Sequence, residues 1–190
     1  MILPIVAYGH PTLRKVAEEI DPDYPGLDEL IDDMFETMYS SSGVGLAAPQ
    51  VNRSIRLFIV DATPYAEEFP GATDLKKVFI NPIILEEKGE EWSFNEGCLS
   101  VPDIREDVIR KPKIILEYQD RDFNLVEEHF DGVMARIIQH EYDHIEGTIF
   151  VDRVSPLRKV LLKRKLHDIS TGNIDVDYKM IFPLKSKSRK

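Results

Sequence analysis

The stretch QHEYDHIEG, residues 139–147, constrains this chain more than any other. His140 and His144 are four residues apart, so a helix sets both imidazoles on one face. Val133, Ile137, Ile138 and Ile145 keep the helical apolar period around them. The spacing predicts a helix from roughly Asp131 to Glu146, with Gly147 as its stop. An H-E-x-x-H pattern on such a helix brings two imidazoles to one metal ion and leaves the intervening Glu141 close enough to carry a proton. The bland alternative is a pair of exposed or core-satisfied histidines, and the complete motif on a well-formed helix argues against it.

Two histidines leave a metal site incomplete, because a catalytic site ordinarily takes three protein ligands and one water. The usual downstream completions fail. Phe150 stands three residues beyond Gly147, where one extended motif needs a histidine, and no glutamate follows Glu146. Asp152, Asp168, Asp175 and Asp177 remain as donors but match no known extension. Upstream, EGCLS (96–100) offers Cys98 as a thiolate. A lone cysteine is more often a small buried apolar residue. Beside an incomplete pair of histidines it becomes the best available third ligand. At this point a zinc endopeptidase and a non-catalytic metal-binding module both stay open. The second would need neither Glu141 nor Gln50.

Around this helix the chain reads as an α+β fold, with mainly antiparallel sheets packed on a central metal-binding helix. Leu27, Leu30, Ile31, Met34, Phe35 and Met38 form one apolar stripe within 22–43, with Pro25 in the expected first turn. IRLFIVD (55–61) is a buried strand, and 62–77 a polar surface loop. VFINPIILEE (78–87) is a strand pair or one strand bent at Asn81-Pro82, and 104–120 and 124–130 supply further strands. A last helix over 155–168 has Ser155 as its cap and Pro156 in its first turn. Leu157, Val160 and Leu161 share its apolar face, while Leu162 and Leu166 fall on another side.

Residues 1–184 are expected to form a single catalytic domain, followed by a basic tail, KSKSRK, at 185–190. The formal net charge of −10 makes the body a poor general nucleic-acid binder. The tail is the exception, and could contact an RNA-rich partner. Cys98 is the only cysteine, so no intrachain disulfide forms, which fits a reducing compartment. The apolar N-terminal run lacks a preceding basic stretch and is interrupted by Pro4, and no run approaches the ~20 apolar residues of a membrane span. A cytoplasmic location without membrane contact is the expectation.

Three stretches in order, GVGLAAPQ (43–50), EGCLS (96–100) and QHEYDH (139–144), resemble the peptide deformylases closely. The resemblance implies hydrolysis of the formyl group from the N-terminal formyl-methionine of nascent chains. It places Cys98, His140 and His144 on the metal, and makes Glu141 the general base and acid. Gln50 and the backbone N–H of Leu99 would stabilise the oxyanion. Gly43, Gly45 and Gly97 would meet the substrate backbone, Arg105 the bound peptide, and Val44 and Phe94 the methionine side chain. Arg136 departs from the pattern, because the family often has an apolar residue there facing the methionine pocket. The implied metal is iron(II) in the cell, with nickel(II) or cobalt(II) as active substitutes and zinc(II) in preparations. For the basic tail, whose cations suit an RNA-rich surface, a ribosome contact is the expectation left open to test. The small residues of GVGLAAPQ then have a purpose. Gly43 and Gly45 let a backbone lie close, Ala47 and Ala48 permit tight packing behind it, and Gln50 supplies a neutral amide donor.

Overall fold

The computed structural model describes residues 1–68 and 76–183. In chain order these form β1 (Ile5–Val6), α1 (Leu27–Ser40), β2 (Gly45–Ala47), β3 (Leu57–Asp61), β4 (Lys76–Lys88), β5 (Trp92–Cys98) and β6 (Val101–Arg110). Then follow β7 (Lys113–Gln119), β8 (Leu125–Asp131), α2 (Gly132–Ile145), α3 (Pro156–Thr171) and β9 (Met180–Ile181). An antiparallel sheet in the order β2-β3-β4-β7-β8 forms the body. β5 and β6 make a separate antiparallel hairpin. Among the named strands the parallel pairing joins β1 to β9, and an isolated parallel bridge links Glu18 with Ile55. The mainly antiparallel α+β architecture read from the sequence is therefore present.

The alternation in LFIVD explains the layering, because successive strand residues point to opposite faces. Phe58 and Val60 pack with Phe79, Leu116, Tyr118 and Phe130 against Val133, Ile137 and Ile138 of α2. Leu57 and Ile59 face the other way, onto Ile31, Met34 and Met38 of α1. Helix α1 thus covers one face of the sheet and α2 the other, and β3 is buried on both. Truncating a side chain of this kind, such as Phe58 or Phe79, costs roughly 3–5 kcal/mol.

Helix α1 begins later than Pro25 suggests. Gly26 caps it in a left-handed conformation, φ 70°, and Leu27 is the first helical residue. The segment around Asn81-Pro82 is one bent strand. Its register with β7 shifts between Ile80 and Ile83. Asn81 has φ 48°, and its side chain accepts from Ile20 N and donates to Ile20 O, which holds the bend. The expected loop at 62–77 contains a short 3-10 turn at Thr63–Tyr65, and β4 already begins at Lys76. Its middle, 69–75, lies outside the described residues, as does the tail 185–190.

Helix α2 spans Gly132–Ile145, and Gly147 stops the chain after it with φ +72°. A Cβ there would lie 2.8 Å from Arg14 O, so only glycine fits this left-handed turn. Helix α3 is capped as expected, with the Ser155 side chain accepting from Arg158 N. Its buried side is Leu162, Leu166 and Ile169, whereas Leu157, Val160 and Leu161 are 60–70% exposed. The apolar face read from the sequence is the outward one. No helix among the described residues is long and apolar enough to cross a membrane.

Candidate active site

The end of β5 and the buried face of α2 meet at one point. Cys98 Sγ lies 3.3 Å from His144 Nε2, and the ligand atoms of Cys98, His140 and His144 all fall within 4.8 Å of one another. The two imidazole rings stand nearly perpendicular, with centroids 5.1 Å apart. One thiolate and two imidazoles in this clustering suit a four-coordinate divalent ion with one position left for water. His144 Nδ1 is buried without a hydrogen-bond partner among the described residues.

The electrostatics fit such a centre. Burial alone would raise the Cys98 thiol, but His144 and His140 outweigh it and hold the pKa near 5, so the sulfur is thiolate at neutral pH. Burial lowers His140, yet its hydrogen bonds to Cys98 and Glu96 carry it well above the ordinary imidazole value. Glu141 goes the other way. Its carboxyl is 4% exposed, and burial raises its pKa to about 7 against the pull of His140 and His144. Glu141 Oε2 makes no hydrogen bond among the described residues. A carboxylate with a pKa near neutrality and an unused oxygen is poised to accept and return a proton.

Glu96, two residues before the cysteine, orients His140: its Oε2 lies 3.0 Å from His140 Nδ1. Arg110 donates to both oxygens of Glu96 at 2.8 and 3.0 Å, and Arg136 Nη1 donates to Oε1 at 3.0 Å. Arg110 also reaches Asp143 at 2.8 Å, and Arg153 closes on Asp143 from the other side. Burial opposes the charge on Glu96 and on Asp143. Hydrogen bonds from His140 and Arg110 to Glu96, and from Arg153 to Asp143, keep both carboxyls well below the usual carboxylate range. Such a carboxylate–histidine pair fixes the tautomer and ring orientation of a metal ligand.

A cavity of about 670 Å³ opens in front of this cluster. Its wall includes Gly43, Val44, Gly45, Gln50, Phe94, Gly97, Cys98, Leu99, Arg105, His140 and Glu141. His144, 1% exposed, sits behind that wall and reaches Cys98 from within. The structure thus brings together every site residue read from the sequence. Gln50 Oε1 accepts from Ala47 N at 2.9 Å, which turns its Nε2 toward Cys98 Sγ at 3.5 Å and Ser100 Oγ at 3.3 Å. Gly45 has a role in packing as well: a Cβ there would stand 2.8 Å from Glu141 Cδ and 2.9 Å from Cγ. Arg105 Nε and Nη2 are held by Asn95 Oδ1 and O, each at 2.8 Å.

Arg136 resolves its departure from the expected pattern. It lines the cavity, but Nη1 and Nη2 are tied back to Glu96, Val108 O and Trp92 O at 2.8–3.0 Å. Its guanidinium stacks over Trp92 at 4.8 Å and lies 5.8 Å from the Phe94 ring. Burial lowers its pKa from the usual arginine value, with Glu96 offsetting part of the effect. Sequence reasoning missed Glu96, Arg110, Asp143, Ser100 and Tyr178. Glu96 and Ser100 carried a signal inside EGCLS, and Asp143 inside QHEYDH.

Fold and site together define a metal-dependent hydrolase built on H-E-x-x-H, with an upstream cysteine placed where it could complete the metal site. The polypeptide deformylase family model matches residues 2–160. A peptide deformylase of Christiangramia forsetii is 56% identical over the whole of both chains. A crystal structure of a peptide deformylase from Legionella pneumophila superposes with a TM-score of 0.78 at 39% identity, covering 88% of this chain and 95% of that one. A Met-Ala-Ser-bound class I type b peptide deformylase from Acinetobacter baumannii gives a TM-score of 0.73 at 38% identity, over 81% of this chain and 99% of the other. The chain belongs to the peptide deformylase family. Its activity is hydrolytic removal of the N-formyl group from nascent polypeptides.

Proposed function

We propose that Cys98, His140 and His144 hold the catalytic metal, that Glu141 moves the proton, and that Gln50 and Leu99 bind the oxyanion. The observation that carries this assignment is the cluster of three ligand atoms within 4.8 Å beside a buried Glu141 with an unpaired oxygen. A divalent metal bound there supplies Lewis acidity and lowers the pKa of a water to about 7. Glu141 accepts the proton released as the nucleophile forms, and returns it to the leaving amine nitrogen. Gln50 Nε2 and the Leu99 N–H donate to the formyl oxygen as negative charge develops. Loss of one such donor costs on the order of 10²–10³ in rate. Formate and a free N-terminal amine result.

The substrate is the formyl-methionine end of a nascent chain. The Met-Ala-Ser peptide bound to the Acinetobacter baumannii relative supports a peptide lying in the same cleft. Gly43, Gly45, Gly97 and Arg105 contact the peptide, and Val44 and Phe94 line the methionine side chain's pocket beside the stem of Arg136. Formyl bears only hydrogen on its carbonyl carbon, so a narrow site accepts it and excludes larger acyl groups. Iron(II) is the metal in the cell, and nickel(II), cobalt(II) or zinc(II) can take its place, since thiolate with two imidazoles suits each of them. Residues 1–184 act as one catalytic domain, in the cytoplasm, and KSKSRK (185–190) contacts the ribosome through its four cations.

Glu141→Ala tests the central role. The variant retains about one equivalent of metal and loses turnover of a formyl-Met peptide. Full turnover in metal-loaded Glu141→Ala would remove Glu141 from the proton-transfer role. Deleting 185–190 lowers ribosome affinity, and unchanged binding would reject the tail contact.

A further inference from the structure

The family model ends at residue 160, and the segment following α3 lies beyond it. This segment turns at Gly172, φ +75°, and returns to the front of the molecule, where β9 pairs with β1. Ile5 N donates to Lys179 O and Ala7 N to Ile181 O, both at 2.9 Å. On the way, Asp175, Val176, Asp177 and Tyr178 enter the wall of the cavity that holds Cys98 and Glu141. The Tyr178 hydroxyl donates to Leu99 O at 2.7 Å. From the chain just after β1, Tyr8 N donates to Ser100 O at 2.8 Å. The Leu99–Ser100 turn is therefore clamped by two segments far apart in sequence.

The same segment changes the charge of the cleft. Asp175 and Asp177 are exposed, and Asp103 of β6 joins them on the cavity wall. Arg105 is the exposed cation among the described residues lining the same cavity, and it is already engaged by Asn95. The buried Glu141, with its unpaired oxygen, marks the reacting end of the same cavity. A peptide with its formyl group at that end advances about 3.3 Å per residue when extended, so its second and third residues leave past the outer wall.

We propose that residues 175–178 are the outer wall of the peptide cleft, that their carboxylates with Asp103 select substrates carrying a basic side chain in the residues after formyl-methionine, and that Tyr178 is a positioning residue for Leu99. This inference rests on the deformylase reading of the site. Selection works by attraction between exposed charges, so one pair changes kcat/KM by about fivefold at low salt and fades as salt screens it. Tyr178 acts through the backbone, holding the turn that presents the Leu99 N–H.

The test compares formyl-Met-Ala-Lys and formyl-Met-Ala-Glu amides with the full, metal-loaded chain, measuring formate release. The lysine peptide is expected to have the higher kcat/KM by about fivefold or more, with the ratio falling as salt is added. In Asp175→Asn/Asp177→Asn the ratio moves toward one. A wild-type ratio near one, or a ratio unchanged in the double variant, would overturn the selectivity. Tyr178→Phe is expected to lower kcat on both peptides alike, with KM and the lysine-to-glutamate ratio preserved. Wild-type kcat in that variant would overturn the positioning role. No formate from either peptide would refute the underlying deformylase reading, whereas formate released equally from both refutes the selectivity alone.

Discussion

Gly45→Ala is the sharpest structural perturbation available, because a single methyl group would collide with the side chain of Glu141, the proposed proton carrier. The added Cβ would lie 2.8 Å from Glu141 Cδ and 2.9 Å from Cγ, with a carboxylate oxygen closer still. Carbon–carbon contacts are comfortable at about 3.5–4.0 Å, so Glu141 must retreat by roughly 1 Å. Helix α2 cannot follow, since Val133, Ile137 and Ile138 are packed into the sheet. The carboxylate therefore leaves its position rather than the helix moving. A displacement of about 1 Å at a reacting group costs about 10²-fold in rate. Overpacking itself costs about 1–3 kcal/mol of stability. The assay is formate release at saturating formyl-Met peptide, with metal content and thermal midpoint measured on the same sample. Gly43→Ala perturbs the same cleft at a different point, because its Cβ would meet Leu99 Cδ1 at 2.9 Å and Met38 Cγ at 3.2 Å and so strains Leu99 rather than Glu141. The expected outcome is bound metal, a folded chain and a roughly hundredfold fall in kcat for Gly45→Ala. Folded, metal-loaded Gly45→Ala with kcat within twofold of wild type would refute the reasoning.

Three further outcomes follow from the same geometry. Glu96→Gln weakens the hold on His140, and metal affinity measured by chelator competition falls about 10–100-fold; unchanged affinity would contradict the positioning of His140 by Glu96. Glu141 has a folded pKa near 7, raised by burial above about 4.3 in the unfolded chain, so it takes stability away as pH rises through that window. Metal-free Glu141→Gln is therefore more stable than wild type above pH 7, by about 3–4 kcal/mol in urea unfolding, and equal or lower stability would contradict the burial argument. Glu96 and Asp143 have folded pKa values depressed by their arginine and histidine partners, so their contribution is complete above about pH 4.5 and is lost as pH falls toward those lower values. Arg110→Met moves the acid-unfolding midpoint to higher pH, and an unmoved midpoint would remove Arg110 from that balance.

The local devices were legible in the residues, and the long-range ones were not. The helical period around His140 and His144 identified α2 and its inward face, because amphipathic spacing is a property of a short window. Cys98 could be reached by elimination, since it is the only cysteine and the downstream donors fit no motif. The short apolar run in IRLFIVD gave a buried strand, though not the fact that both its faces are covered by helices. The Glu96–Arg110–Asp143 network depends on the pairing of β5 with β6 and on the packing of both against α2, which joins residues 14 and 33 positions apart. Strand register of this kind is a tertiary property that no local pattern carries. Helix α3 illustrates a different loss. Leu157, Val160 and Leu161 look like a core face, but the β6 side of the molecule is filled by Leu162, Leu166 and Ile169 with Val101, Ile104 and Val108. The tyrosine that secures Leu99 lies 79 residues away in sequence, on a segment with no motif of its own.

The most direct measurement is formate release from a formyl-Met peptide by protein loaded anaerobically with iron(II) or nickel(II), paired with acetate release from the matching acetyl-Met peptide. Turnover of the formyl peptide alone is the expected result if, as proposed, the narrow site admits only the small acyl group and Glu141 moves the proton. No turnover of either peptide, with about one equivalent of metal bound to Cys98, His140 and His144, would contradict the account.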